Sequence, residues 1–392
     1  MKSILIFSEF YYPDLISSGY YITEIAEHLA LKRKVTVITT GDVTKLTNET
    51  RNKVIIIRIP KKTFNKNILF QRLLKFFYLS LQFYLIGRKK IENNSEVICV
   101  TNPALFVPVI AYFKKRRNFK LSYFIHDVFP ENLVATKIIN PVNLFYKLIY
   151  YVFKKSYYNA NRIITCGRDM KLHFEQKLPG YLGVISFIPN WGEPDKFFPD
   201  KELRNETLKD LNINSKFVFQ FAGNLGRGQG IKTLLDAAKK ADEPQAHFLF
   251  FGNGVYENEL KTLNQDQKIT YGGKFDREQS NKFLNACDVS IVSLQEGMLG
   301  LGVPSKTYNI LAVGKPILYI GDKTSEIGLL VEENNIGKLC QSGSADSIVE
   351  GIKWFLSRNQ NELNEISQKA RQISFSFSKT EIINAYVNLF TE

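Results

Sequence analysis

Phe217-Val-Phe-Gln-Phe-Ala222 runs straight into Gly223-Asn-Leu-Gly-Arg-Gly-Gln-Gly230, and a helical pattern follows. A short apolar run, a glycine-rich turn and then a helix make the βα unit of a parallel sheet. Four glycines let the backbone curl until its amides face an anion, and Arg227 adds a full positive charge. The same glycines would serve a plain tight turn, so the loop alone leaves both readings open.

Outward from this unit the pattern repeats. Apolar runs at Ser3–Phe7, Val35–Thr39, Val54–Ile59, Val97–Val100, Leu121–Ile125 and Arg162–Thr165 alternate with helical stretches such as Ile22–Leu31 and Val142–Lys155. Asn190-Trp-Gly-Glu-Pro194 interrupts with turn residues, and strands resume at Phe217–Ala222, His247–Phe251, Ile269–Tyr271, Val289–Ser293 and Pro316–Ile320. A chain of 392 residues exceeds what one core usually holds. The expectation is two α/β domains, residues 1–190 and 191–375, with a final helix over 376–392 folding back toward the first. Helical stretches are read at Asp346–Phe355 and Ser378–Phe390. Cys99, Cys166, Cys287 and Cys340 lie far apart without metal-ligand spacing, which argues against a disulfide framework or structural zinc and for a reducing, cytoplasmic setting. The amino terminus reads as a buried first strand and not as a secretory leader.

Ligands of open parallel sheets bind beyond the carboxyl ends of the strands. After the first strand, Ser17, Ser18 and Gly19 stand at a helix start without the dinucleotide GxGxxG spacing. After Leu121–Ile125 comes His126-Asp-Val-Phe-Pro-Glu131, an imidazole and two carboxylates at a strand end, suited to acid–base work or to a structural role. In the second half, Asn224, Gly226, Gly252, Lys274 and Phe275 follow strands, and Leu301-Gly-Val-Pro-Ser-Lys306 leads a helix with Pro304 in its first turn. Arg227, Ser305 and Lys306 then form an anion site suited to a nucleotide diphosphate. An ordinary capped helix is the bland alternative. No DxD pair is present, and Asp276-Arg-Glu278 reads as helix-start acids, so no metal is expected.

Charge is divided unevenly. Residues 1–190 carry 29 Lys and Arg against 12 Asp and Glu, a balance of +17, whereas residues 191–392 balance at −3. Between Arg51 and Lys120, 16 basic residues meet only Glu92 and Glu96, with Phe64, Phe70, Phe76, Phe77, Tyr78, Phe83 and Tyr84 interleaved. Lys66, Arg72, Lys75, Phe76, Phe77, Lys114, Lys115, Arg116 and Arg117 are candidates for an anionic membrane surface. The aromatic stripe could equally be core. Ile68–Ile86 is too polar to span a bilayer, and no nucleic-acid-binding motif accompanies the charge.

Taken in order, Ser8-Glu-Phe-Tyr-Tyr-Pro-Asp14, His126-Asp-Val-Phe-Pro-Glu131, Ile188-Pro-Asn-Trp191, Gly223–Gly230, Pro304-Ser-Lys-Thr-Tyr308, Ala312-Val-Gly-Lys-Pro316 and Gly321-Asp-Lys-Thr-Ser-Glu326 resemble the retaining glycosyltransferases of family 4. The resemblance covers nearly the whole chain and leans toward the bacterial surface-polysaccharide branch that includes N-acetylfucosamine (L-fucosamine) transferases. It implies a GT-B fold of two Rossmann-like domains facing each other across a cleft, a UDP-sugar donor and a lipid-diphosphate-linked sugar acceptor at the inner membrane face. It also implies diphosphate neutralisation by Arg227 and Lys306, approach of Gly19 to the phosphates, His126 or Asp127 at the reacting sugar, and donor contacts from Tyr308 and Glu326. The chain departs from the family where two glutamates usually stand, with Leu301 and Asn309 in their places. Glu326 or Glu296 is left to compensate, Glu326 being favoured. Asn224 and Gln229 replace the family's glycine-loop arginine and lysine. Two other readings stay open: a UDP-sugar epimerase on the same plan, and a noncatalytic protein that binds nucleotide-sugar or lipid. Donor sugar, linkage and oligomeric state are not legible.

Overall fold

The computed structural model describes residues 3–14, 17–62, 69–213, 216–263, 268–274 and 279–391. Phe64, Lys66, Phe275, Asp276 and Glu278 lie outside the described residues, as do the side chains of Phe70 and Arg72. The chain divides into two compact units, residues 1–189 with 300–302 and 382–392, and residues 190–299 with 303–381. Two short pieces of the later sequence therefore pack with the first unit.

The first unit is built on an eight-stranded sheet. Its strands are β1 (Ile4–Phe7), β2 (Val35–Gly41), β3 (Thr47–Arg51), β4 (Val54–Pro60), β5 (Glu96–Val100), β6 (Lys120–Ile125), β7 (Arg162–Thr165) and β8 (Val184–Phe187). Their spatial order is β3-β4-β2-β1-β5-β6-β7-β8, parallel throughout except for β3, which pairs antiparallel with β4. The order turns about β1, so the loops after β1 and β5 diverge there and leave room for a ligand. β1, β5 and most of β6 are buried along their length, the mark of a parallel sheet covered on both faces.

The second unit holds a six-stranded parallel sheet of β9 (Phe217–Asn224), β10 (Ala246–Asn253), β11 (Ile269–Gly273), β12 (Val289–Ser293), β13 (Ile317–Ile320) and β14 (Gly337–Cys340). Their order is β11-β10-β9-β12-β13-β14, which places the turn of direction at β9 and β12. The core against it is aromatic and aliphatic, with Phe219, Phe248 and Phe355 packed beside Leu234, Leu235 and Ile352. Gly252 has φ +128° and sits opposite Gly223, where a Cβ would lie 1.8 Å from the Gly223 carbonyl. Only glycine fits there.

Every strand expected from apolar runs is present, and the expected helices form as Ser17–Ala30 and Leu144–Tyr158. The structure adds β3, β8, β14 and a 17-residue helix, Gln360–Ser376, that the apolar pattern does not announce. The last helix, Lys379–Thr391, contributes Tyr386 and Phe390 to the first unit, where both rings pack on Phe124.

Candidate functional site

In the second unit, the loop leaving β9 is a single 3-10 turn, Arg227–Gln229, followed at Gly230 by the helix Ile231–Lys240. Gly230 is left-handed, with φ +61°. The loop is pinned from β12: Ser293 Oγ donates to the Gln229 carbonyl at 2.5 Å and the Gln295 amide to that of Gly228 at 2.9 Å. Arg227 stands exposed on this anchored turn, and no described carboxylate pairs with it. Asn224 is exposed at the strand end, its amide beside Gly226.

Lys306 faces the same strand end. Its ammonium lies 3.4 Å from the centre of the Phe221 ring, and its stem is 3.4 Å from where a Gly223 Cβ would stand. The stem is partly open, but Nζ is buried and has no hydrogen-bond partner among the described residues. Burial without a counter-charge pulls its pKa down to about 7. The helix begins at Thr307, not at Pro304, because Thr307 donates through both its amide and Oγ1 to the Pro304 carbonyl, closing a turn first. That helix has six residues, so the positive character here rests on the lysine itself.

Other expected donor contacts fare differently. Ser305 is half-buried in the turn before Lys306, and Lys274 is exposed after β11. Tyr308, expected at the donor, is fully buried with its ring 5.2 Å from Phe377, so it serves the core. Glu326 is 2% exposed at the start of the helix Glu326–Asn334, behind a turn in which Tyr319 and Ser325 share a 2.7 Å hydrogen bond. A carboxylate so covered does not present itself to a sugar in this form of the protein. Glu296 is exposed in the loop after β12. Asn309, in the place of a family glutamate, accepts from the Glu193 amide at 3.1 Å and so holds the Asn190–Pro194 turn.

In the first unit, His126 and Asp127 follow β6 and line a cavity of about 140 Å³ with Ser18, Phe76, Thr101 and Asn102. Tyr21 stacks on the imidazole at 6.2 Å, and His126 Nε2 is buried without a described partner. Burial lowers the imidazole to about pH 4, so it is neutral at physiological pH. Asp127 keeps solvent-accessible surface at the rim, yet the dense protein around it pushes its carboxyl above the usual range. The segment Gly300–Gly302 braces this loop: Val128 donates to Leu301 at 3.0 Å, and Gly300 donates to Asp169 Oδ2 at 3.0 Å. Leu301, the other replaced glutamate, is thereby a buried structural residue. Gly19 is glycine for an internal reason, since a Cβ there would lie 2.2 Å from the Asp14 carbonyl. The expected phosphate approach is not needed to explain it.

Sequence reasoning missed the partners of two carboxylates that the motifs display. Glu9, 2% exposed, takes an ion pair from Lys75, and Phe76 lines the cavity, so both expected membrane residues are engaged within the protein. Glu131 pairs with buried Lys177 at 2.5 Å and His173 at 3.4 Å. Lys114 bonds the Asn161 side chain, Arg117 donates to the Ile91 carbonyl at 2.7 Å, and Arg116 lies 4.6 Å over Tyr112. Phe77 and Lys115 are exposed. No described helix is long and apolar enough to cross a membrane. The acid at three residues past the HDV of His126–Val128 was visible in the motif; its lysine, 46 positions on, was not.

Residues 204–373 match the family of glycosyl transferases group 1, and residues 18–195 match glycosyltransferase family 4. The chain is 30% identical over 386 residues to a probable glycosyltransferase, WbjE, of Pseudomonas aeruginosa, covering 96% of this chain and 95% of that one. It is 24% identical over 240 residues to a putative colanic acid biosynthesis glycosyl transferase, WcaI, of Escherichia coli K12, covering 59% of this chain and 57% of the relative. Among solved structures, HepE of Anabaena in complex with UDP superposes with a TM-score of 0.72 at 15% identity, covering all of both chains. At that identity the likeness concerns the fold, which is GT-B.

Proposed function

The chain belongs to the glycosyltransferases, with a family 4 region followed by a group 1 region, and from that membership we propose that it transfers a sugar from a UDP-sugar, with retention, to a lipid-diphosphate-linked sugar. The sugar is an N-acetylated hexosamine or deoxyhexosamine, and the product enters a bacterial surface polysaccharide assembled at the inner membrane face. The relative named for colanic acid biosynthesis and the UDP-bound fold neighbour support this reading.

The observation that carries it is the unpaired ammonium of Lys306 at the carboxyl end of β9. When the anomeric carbon–oxygen bond breaks, UDP leaves with its negative charge concentrated on the β-phosphate. A buried cation with no partner gains more from that charge than an exposed one, because water does not screen it. Arg227, exposed on its pinned turn, supplies the second charge. In the first unit, neutral His126 offers a hydrogen bond to a hydroxyl without competing for its proton, and Asp127, whose carboxyl burial pushes upward, stands beside it. Asp127 and His126 are the residues proposed to face the reacting sugar and acceptor.

The test is direct. The full chain is incubated with labelled UDP-sugars and a polyprenyl-diphosphate-sugar, and lipid product, free epimer and free UDP are resolved by chromatography. Labelled lipid is the expected outcome. Epimer alone, or donor binding without turnover, contradicts the proposal.

A further inference from the structure

The helix Leu144–Tyr158 is apolar on two sides. Inward, Phe153 and Tyr157 are buried, 4.8 Å from Phe129 and 5.5 Å from Tyr123. Outward, Leu144, Phe145, Leu148 and Tyr151 are 82, 62, 58 and 55% exposed, and Val142 just ahead of the helix is 73% exposed. Spaced by three and four, Leu144, Leu148, Tyr151 and Lys155 share one side of the helix, with Phe145 and Val152 along its edge. Single exposed apolar residues are ordinary; a contiguous set of this kind marks a surface that something covers.

The charge around it says what. From Asn132 to Arg168 the chain holds six Lys and Arg and no Asp or Glu. Lys137, Lys147 and Lys155 are exposed, and no described carboxylate pairs with any of them. A second copy docked on the same face about a two-fold axis would bring lysines against lysines. A bilayer of anionic lipid satisfies both features at once, taking leucine and aromatic side chains at the acyl boundary and lysines at the phosphates. We infer that the helix Leu144–Tyr158 and the loop before it dock on an anionic phospholipid bilayer. This surface deepens the reading of a lipid-linked acceptor and for its purpose rests on it. The helix packed beside it, Phe106–Lys114, and the next one along, Leu69–Lys90, also carry exposed apolar residues in Tyr112, Phe77 and Leu81.

The full chain is sedimented with vesicles of phosphatidylcholine alone, or of phosphatidylcholine and phosphatidylglycerol in equal parts, without donor or acceptor. Binding to the mixed vesicles and not to phosphatidylcholine is expected. The variant Leu144→Ser/Phe145→Ser/Leu148→Ser should lower that binding at least about tenfold, since each removes apolar surface from the bilayer. Lys147→Gln/Lys155→Gln should lose the preference for phosphatidylglycerol. All five positions are exposed, so an unchanged thermal midpoint verifies the fold. Unchanged vesicle binding in both variants overturns the inference. So does a wild-type dimer, seen by light scattering, that the serine variant converts to monomer while vesicle binding persists. Because no substrate is present, either result leaves the transfer reaction to be judged on its own assay.

Discussion

Lys177 in the first unit and Lys306 in the second both end in buried ammonium groups, and both have pKa values lowered by burial. Their surroundings differ in one respect. Lys177 is paired with Glu131 and enclosed by the rings of Tyr157, Tyr150 and Phe174 at 4.8 to 5.5 Å, whereas among the described residues Lys306 has one ring and no acid. The first unit pairs its buried cation within its own architecture; the second leaves one without a described partner, which is what the proposed diphosphate site calls for. Burying an ammonium costs several kcal/mol unless something offsets it. On the proposed reading, an unpaired lysine next to a glycine loop gives up stability for binding.

Removing the acid should turn the first lysine into the second. Glu131→Gln leaves Lys177 buried without its charge partner and is expected to destabilise the first unit by about 3 kcal/mol, measured by urea unfolding. A loss below about 0.5 kcal/mol would show that Lys177 reaches solvent on its own. Removing the second lysine should act on chemistry instead. Lys306→Ala is expected to lower turnover at saturating donor about a hundredfold while the far-ultraviolet spectrum and cooperative unfolding are retained. Equal turnover in variant and wild type would break the comparison.

The pH dependence sharpens it. With a free-state pKa of about 7, Lys306 is charged below that pH and neutral above it, so donor binding must recapture a proton in alkaline solution. The donor KM should rise about tenfold per unit above pH 7 until the donor-bound pKa is passed. His126, neutral above about pH 4, contributes no limb to the rate near pH 6.5. Smallest in size, Lys306→Met should raise the melting temperature by about 2–4 °C near pH 7. Between pH 7 and the ordinary lysine range the unfolded chain holds a proton the folded one has lost, so wild-type stability rises with pH. The advantage of the methionine variant should shrink accordingly toward pH 10.

Much of this was legible in the residues. The buried strands of both sheets show as apolar runs because both of their faces are covered. β3, with the sequence Thr-Asn-Glu-Thr-Arg, is an edge strand whose side chains are mostly exposed or half-buried, so no hydrophobic pattern marks it. Gln360–Ser376 is a largely polar helix with only Ala370 and Ser374 buried, but Asn359 and Glu362 form a capping box that the sequence does display. Lys306 and Arg227 were singled out from their glycine and proline context, and the structure places Lys306 at the end of β9 and Arg227 on the turn that leaves it. The inward turn of Lys75 was not, because Glu9 lies 66 positions away and pairing at that distance leaves no local trace. Tyr308 and Glu326 were expected at the donor on the strength of a motif; the structure buries both, which the motif itself does not announce.

The central claim, that Lys306 awaits a diphosphate, is tested most directly by calorimetric titration with UDP at pH 8 in two buffers of different ionisation enthalpy. The wild-type chain should take up close to one proton per UDP bound, as the neutral lysine recharges against the phosphates, and Lys306→Met should take up almost none. The same proton uptake in both proteins would contradict the account.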